Sequence, residues 1–299
     1  MTDINKNKII FRLLPLGLHK YINLFRLDRP IGFMLLFYPV SFGLTVSTKF
    51  NLDFIKLLFI FFLGSIIMRS AGCIINDIWD RKIDSQISRT NTRPIASGEI
   101  KLAEALIILL ILLLVGLLII VNLNILTIFL SIIILPAVIL YPLAKRYFFM
   151  PQLILGLIYN WGVIIGWSST HLNVSFVGIT ILYISCIVWT LIYDTVYATL
   201  DEQEDIKFKI YSTAILFGKN KQFFLNILIF IQFIILNLVG KYFNYNYEYF
   251  ILITIIGITM ALDLNLIWRN SVINSLSFFK RNNIYGFLIL IALLIGSNF

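Results

Sequence analysis

The chain has 299 residues, of which 60% are hydrophobic and only 13% charged, with a mean hydropathy of +0.92 and a formal net charge of +9. Soluble domains carry about 45–50% apolar and about 25% charged residues, so these values exclude a soluble protein and imply a polytopic membrane protein. The positive balance is what basic cytoplasmic loops contribute to such proteins, and no basic face with interleaved aromatics is laid out for nucleic acid.

Residues 1–30 hold Lys6, Lys8, Arg12, Lys20, Arg26, Asp28 and Arg29 among scattered apolar side chains such as Ile9, Leu14, Ile22 and Phe25. Without a compact apolar core or a cleavage site, this reads as an interfacial segment on the cytoplasmic surface rather than a signal peptide. The remainder, 31–299, reads as one membrane domain. A spanning helix needs about 20 mainly apolar residues. Such windows fall near 31–48, 54–76, 103–121, 123–143, 151–168, 174–195, 221–240, 248–267 and 284–298. The expected fold is therefore all-α, with about nine transmembrane helices.

Charge tests that count. With a cytoplasmic N-terminus, the even-numbered spans end at Arg81, Lys82, Arg89, Arg93 and Lys101, at Lys145 and Arg146, at Lys207, Lys209, Lys219 and Lys221, and at Arg269, Lys280 and Arg281. The opposite connections hold only Lys49, Lys56 and Lys241 among basic residues. Basic residues favour the cytoplasmic side, so the N-terminus is expected inside and the C-terminus outside. Cys73 and Cys186 lie within apolar runs, and His19 and His171 are far apart, so none of them suggests a metal cluster.

Two acidic clusters stand at the ends of apolar runs, after spans of the same parity. In the first, Asn76, Asp80 and Asp84 are spaced i, i+4, i+8, and Asp77 falls within the same arc of a helix. In the second, Asp194, Asp201 and Asp205 are spaced i, i+7, i+11, which on a continuous helix makes an acidic stripe. An ordinary solvated loop accounts for Glu202 and Glu204, but poorly for Asp194, which directly follows an apolar run. Unpaired carboxylates at a membrane helix are unfavourable, and hard divalent cations such as Mg²⁺ match oxygen donors. Two carboxylate groups on one membrane face, with basic residues alongside, suit a diphosphate bound through Mg²⁺, and a lipid tail on that diphosphate would explain the membrane. The sequence contains no GxxxxGK[ST] loop of the nucleotide-binding kind. Arg69 lies seven residues before Asn76, on the same helical face and about 10 Å deeper. It is either a structural ion-pair partner or a ligand contact, and guanidinium is the natural partner of a substrate carboxylate.

These runs resemble the UbiA-type intramembrane prenyltransferases, in particular the bacterial 4-hydroxybenzoate polyprenyltransferases. The resemblance rests on Arg26 to Gly32, Met68 to Asp84 with its NDxxDxxxD pattern, Arg89 to Pro94, Tyr141 to Arg146, and Tyr193 to Ala214 with its DxxYAxxDxxxD pattern. Gln203, Glu204 and Lys209 depart from the usual pattern. The resemblance implies a nine-helix bundle around a central cavity with cytoplasmic cap loops. It implies Mg²⁺ held by Asn76, Asp77, Asp80, Asp84, Asp201 and Asp205, with Asp80, Asp84, Asp201, Asp205 and Arg69 catalytic. Substrate contacts are expected from Arg69, Asn76, Lys145, Arg146, Arg89, Arg93, Asp194 and Tyr197. For Lys145, Arg146, Arg89 and Arg93, the positive-inside pattern alone is a sufficient explanation, and the resemblance favours diphosphate contact. The implied reaction moves a polyprenyl group from its diphosphate to 4-hydroxybenzoate, ortho to the hydroxyl, in ubiquinone biosynthesis. Another acceptor, such as a dihydroxynaphthoate or a haem, is the nearest alternative. A secondary transporter is the alternative from another class, although transport sites usually lie near the bilayer midplane. The sequence leaves oligomeric state open.

Overall fold

The computed structural model describes residues 11–12, 14–170, 176–268 and 272–297. Residues 1–10 of the expected interfacial segment, together with His171 and Arg269, lie outside the described residues. Among the described residues there are helices and no strands.

A short helix α1 (His19–Phe25) leads into α2 (Ile31–Thr45) and the long α3 (Leu52–Asp84). There follow α4 (Leu102–Ile120), α5 (Ile125–Ile133), α6 (Leu135–Tyr147), α7 (Pro151–Tyr159) and α8 (Gly162–Ser168). The second half comprises α9 (Phe176–Ala198), α10 (Glu202–Lys207), α11 (Thr213–Phe217), α12 (Lys221–Tyr242), α13 (Tyr247–Trp268) and α14 (Val272–Gly296). Local sequence explains several boundaries. The Asn51 side chain caps α3 by accepting from the Phe54 N–H at 2.8 Å, and Asn124 caps α5 from Thr127 N at 2.9 Å. Asp53 in the first turn of α3 and Arg81 and Lys82 in its last turn complement the helix dipole. At 33 residues, α3 is about 50 Å long against a hydrocarbon core of about 30 Å, so one helix both spans and projects. The Asn76–Asp84 segment is the projecting end.

Seven helical segments among the described residues are long and apolar enough to cross a membrane. They are α3, α4, the α5–α6 pair, α9, the α11–α12 pair, α13 and α14. The expected windows at 31–48 and 151–168 differ from simple spans. The first is a helix of only 15 residues, and the second breaks at Asn160–Trp161 into α7 and α8. Side-chain donors at the break find acceptors inside the bundle. Asn160 Nδ2 donates to the Gly156 carbonyl at 2.8 Å and to Thr190 Oγ1 at 2.7 Å, and Trp161 Nε1 donates to the Leu130 carbonyl at 3.0 Å.

Close packing of α2 on α8 positions the middle of the bundle. A Cβ on Gly43 would lie 2.0 Å from the Val163 carbonyl oxygen, and one on Gly166 would lie 2.0 Å from that of Val40. Glycine at both positions lets the two backbones touch, the usual device where helices associate without a hydrophobic driving force. Trp189 on α9 is buried in the same core and donates to Asn282 of α14 at 2.8 Å. By contrast, α4 buries only Ala105 and presents a broad apolar surface, as a lipid-facing helix does.

Candidate active site

One face of α3 lines a cavity of about 720 Å³. It runs through Phe61, Gly64, Ser65, Met68, Arg69, Gly72, Cys73, Asn76 and Asp77, the i, i+3, i+4 repeat of a single helical stripe about 24 Å long. The cavity has two chemically different ends. Arg26, Arg89, Arg93, Lys145, Asp194, Asp201 and Asp205 join Asn76 and Asp77 at the polar end. Leu113, Leu117 and Ile120 of α4 and Ile132, Leu135 and Val138 of α5 and α6 line the apolar end. Arg69, Tyr141 and Tyr159 also line the cavity.

The two acidic clusters meet, as their common parity implied. Arg89, on the loop after α3, forms an ion pair with Asp201 and lies 5.9 Å from the centre of the Tyr197 ring. That loop is anchored from below by Ile95 and Ile100, which pack with Leu24, Ile74 and Ala105. The expected continuous acidic helix is not formed. Helix α9 ends at Ala198, a turn follows, and Asp201 stands at the N-cap of α10. Asp194, Asp201 and Asp205 nevertheless all face the cavity. Partial burial pushes the Asp205 carboxyl up to about 7, with Lys145 opposing and Asp201 adding to the rise. Lys145 is held in place through its backbone, whose carbonyl accepts from Tyr211 N–H at 2.9 Å.

The first cluster is not one uniform face. Asp77 is buried and accepts both contacts from Arg26 Nη2, at 2.8 and 2.9 Å. Arg93 Nη1 lies 2.8 Å from Asp84 Oδ2 and 3.5 Å from Asp77 Oδ1, tying together two carboxylates seven residues apart. Asp80 pairs at 3.0 Å with Arg146, which also donates to the Trp79 carbonyl at 3.3 Å. Of the four residues expected to point one way, Asn76 and Asp77 line the cavity, whereas Asp80 and Asp84 stand outside its lining, as does Arg146. The cause is axial: Asp80 and Asp84 fall at helical angles between Asn76 and Asp77 but stand about 6 and 12 Å further along α3 than Asn76, where Arg146 and the loop that holds Arg93 meet them.

Arg26 was not singled out from sequence. It caps α1 in the left-handed conformation, with φ at 57°, and sequence carries no signal for that backbone state in an arginine. Tyr159 was also missed. Its hydroxyl donates to the Gly32 carbonyl at 2.7 Å, and its ring centre lies 5.8 Å from the Arg69 guanidinium carbon. Arg69 Nε is buried and has no hydrogen-bond partner among the described residues.

The oxygen donors of this site match a hard cation. Among the described residues no three His, Cys, Asp or Glu side chains converge into a metal cage.

The sequence profile of the UbiA prenyltransferase family matches residues 36–284. The chain belongs to this family. It is 34% identical over 276 residues to the 4-hydroxybenzoate octaprenyltransferase of Coxiella burnetii, covering 92% of this chain and 95% of that one. It is 42% identical over 207 residues to the mitochondrial 4-hydroxybenzoate polyprenyltransferase of Drosophila pseudoobscura pseudoobscura, covering 69% of this chain and only about half, 52%, of that longer protein. The structure of a UbiA homologue from Archaeoglobus fulgidus bound to GPP and Mg²⁺ superposes with a TM-score of 0.67 at 17% identity, covering 91% of this chain and 99% of that one. The last comparison establishes the shared fold.

Proposed function

We propose that this UbiA-family protein transfers a polyprenyl group from polyprenyl diphosphate to the ring carbon ortho to the hydroxyl of 4-hydroxybenzoate, in ubiquinone biosynthesis and with Mg²⁺. The observation that carries the reading is one cavity joining a charged end, built from both acidic clusters, to an apolar sleeve. A prenyl diphosphate has that polarity. The named relatives act on 4-hydroxybenzoate, and the archaeal homologue binds GPP and Mg²⁺.

Mg²⁺ would be held by Asn76 and Asp80 on one side and by Asp201 and Asp205 on the other, and would neutralise charge developing on the departing diphosphate. Asp80 can exchange its exposed Arg146 partner for this purpose. Asp77 and Asp84 are committed to Arg26 and Arg93 and act as struts that fix the end of α3. Lys145 and Arg89 supply positive charge to the diphosphate oxygens. Asp194 and Tyr197 line the space between the head group and the acceptor. Arg69, with its free Nε, receives the acceptor carboxylate and so places the ring beside the cleaving C–O bond. The electron pair of that bond leaves with diphosphate, the ring forms the new C–C bond, and the ortho proton is lost. The apolar sleeve excludes water that would otherwise capture the allylic cation.

The charge asymmetry of the loops supports an N-terminus in the cytoplasm and a site that opens there. Near-complete coverage of bacterial relatives supports the bacterial inner membrane. The test is incubation of membranes containing the protein with polyprenyl diphosphate and radiolabelled 4-hydroxybenzoate, beside a panel of other acceptors. Prenylated 4-hydroxybenzoate, abolished by EDTA and restored by Mg²⁺, is the expected result. Full activity in EDTA would overturn the metal assignment, and selective turnover of another acceptor would overturn the substrate.

A further inference from the structure

Arg69 is seated in a space that another helix leaves for it. A Cβ on Gly32 would lie 2.8 Å from Arg69 Nε and 3.3 Å from its Nη2. The guanidinium therefore occupies the volume that any other side chain at position 32 would take. Gly32 is in the first turn of α2 and is not among the described glycines with positive φ, so its own backbone does not call for glycine. The requirement comes from α3.

Tyr159 completes the seat. Its hydroxyl donates to the Gly32 carbonyl at 2.7 Å, which ties the end of α7 to the start of α2, and its ring faces the guanidinium at 5.8 Å. Gly32, Arg69 and Tyr159 all line the cavity. Held this way, Arg69 keeps Nε buried and without a hydrogen-bond partner among the described residues. A buried charged donor left unpaired is unfavourable, and the group that completes a guanidinium fork is a two-oxygen anion.

We infer that Gly32 and Tyr159 are positioning residues that set the preference for a carboxylate-bearing acceptor, by fixing where Arg69 presents its guanidinium. This rests on the reading of Arg69 as the acceptor-carboxylate contact. An added methyl at position 32 meets the flexible tip of Arg69 rather than backbone, so it displaces the guanidinium while the helices stay in place. The residues assigned to the diphosphate head are not among the atoms nearest that methyl, which all belong to Arg69.

The test is steady-state transfer by purified Gly32→Ala with Mg²⁺, using 4-hydroxybenzoate and its uncharged counterpart 4-hydroxybenzamide. The expected result is an increase of about tenfold in KM for 4-hydroxybenzoate, the scale of one weakened charged hydrogen bond. KM for prenyl diphosphate, turnover of the amide and the melting temperature should not change. Gly32→Ala should add nothing in an Arg69→Gln background, because the group it displaces is gone. Tyr159→Phe, which keeps the ring and loses the tie to Gly32, should shift acceptor preference in the same direction by less. Equal losses for both acceptors, a raised KM for prenyl diphosphate, or additivity with Arg69→Gln would overturn the inference alone. If Arg69→Gln itself leaves KM for 4-hydroxybenzoate unchanged, the underlying reading of Arg69 fails as well.

Discussion

Arg93 separates two roles that sequence could not distinguish, a contact to substrate diphosphate and a strut within the protein. Its guanidinium reaches Asp84 at 2.8 Å and Asp77 at 3.5 Å, and both carboxylates are at most 5% exposed. Replacing Arg93 with glutamine leaves Asp77 held by Arg26 but removes the charged partner of Asp84. Removing one member of a buried pair costs about 3–5 kcal/mol. Because Asp77 keeps its second arginine, the lower end, about 3 kcal/mol, is the better expectation. At roughly 2 °C per kcal/mol for a chain of this size, the melting temperature in detergent should fall by about 6 °C. The double variant Arg93→Gln/Asp84→Asn should recover most of this, since no buried charge is then left alone. A thermal-shift series on wild type, both single variants and the double variant gives the coupling directly. An unchanged melting temperature in Arg93→Gln, together with a raised KM for prenyl diphosphate, would refute the strut and make Arg93 a substrate contact.

Asp201→Asn or Asp205→Asn should abolish transfer while leaving a monodisperse, folded protein, checked by size-exclusion chromatography beside the radiolabel assay. In EDTA, the raised Asp205 carboxyl, at about 7 against an ordinary value near 3.9, makes the folded state bind the extra proton between those values. Stability from this group is therefore present at low pH and lost as pH rises through about 7, and the slope of melting temperature from pH 5 to 7 should flatten in Asp205→Asn. Gly43→Val should prevent folding, because its side chain would begin 2.0 Å from the Val163 carbonyl on α8; recovery of monodisperse protein at wild-type yield would show that α2 and α8 can separate.

The candidate site was legible where chemistry is local in the chain. Asn76, Asp77, Arg69 and the Asp194–Asp205 cluster announce themselves by standing charged or polar at the ends of apolar runs, and they do line one cavity. Other features escaped because they depend on partners far away in sequence. The ion pairs of Asp77 and Asp84 need Arg26 and Arg93, and the seat of Arg69 needs Gly32 and Tyr159 from two other helices. Helical angle alone treats Asp77, Asp80 and Asp84 as equivalent carboxylates, whereas their arginine partners direct each to a different neighbour.

Composition and hydropathy by themselves determined an all-helical membrane protein, because a chain this apolar must satisfy its backbone within helices once water is absent. Charge parity by itself brought the two acidic clusters to a common end. Only the tertiary structure decided where spans break, as at Asn160, whose side chain finds partners on its own helix and on α9. It also decided which charges line the cavity and which face each other outside it. That choice follows from distance and burial in three dimensions, since a carboxylate shielded from water is governed by whichever cation the fold places within hydrogen-bond reach.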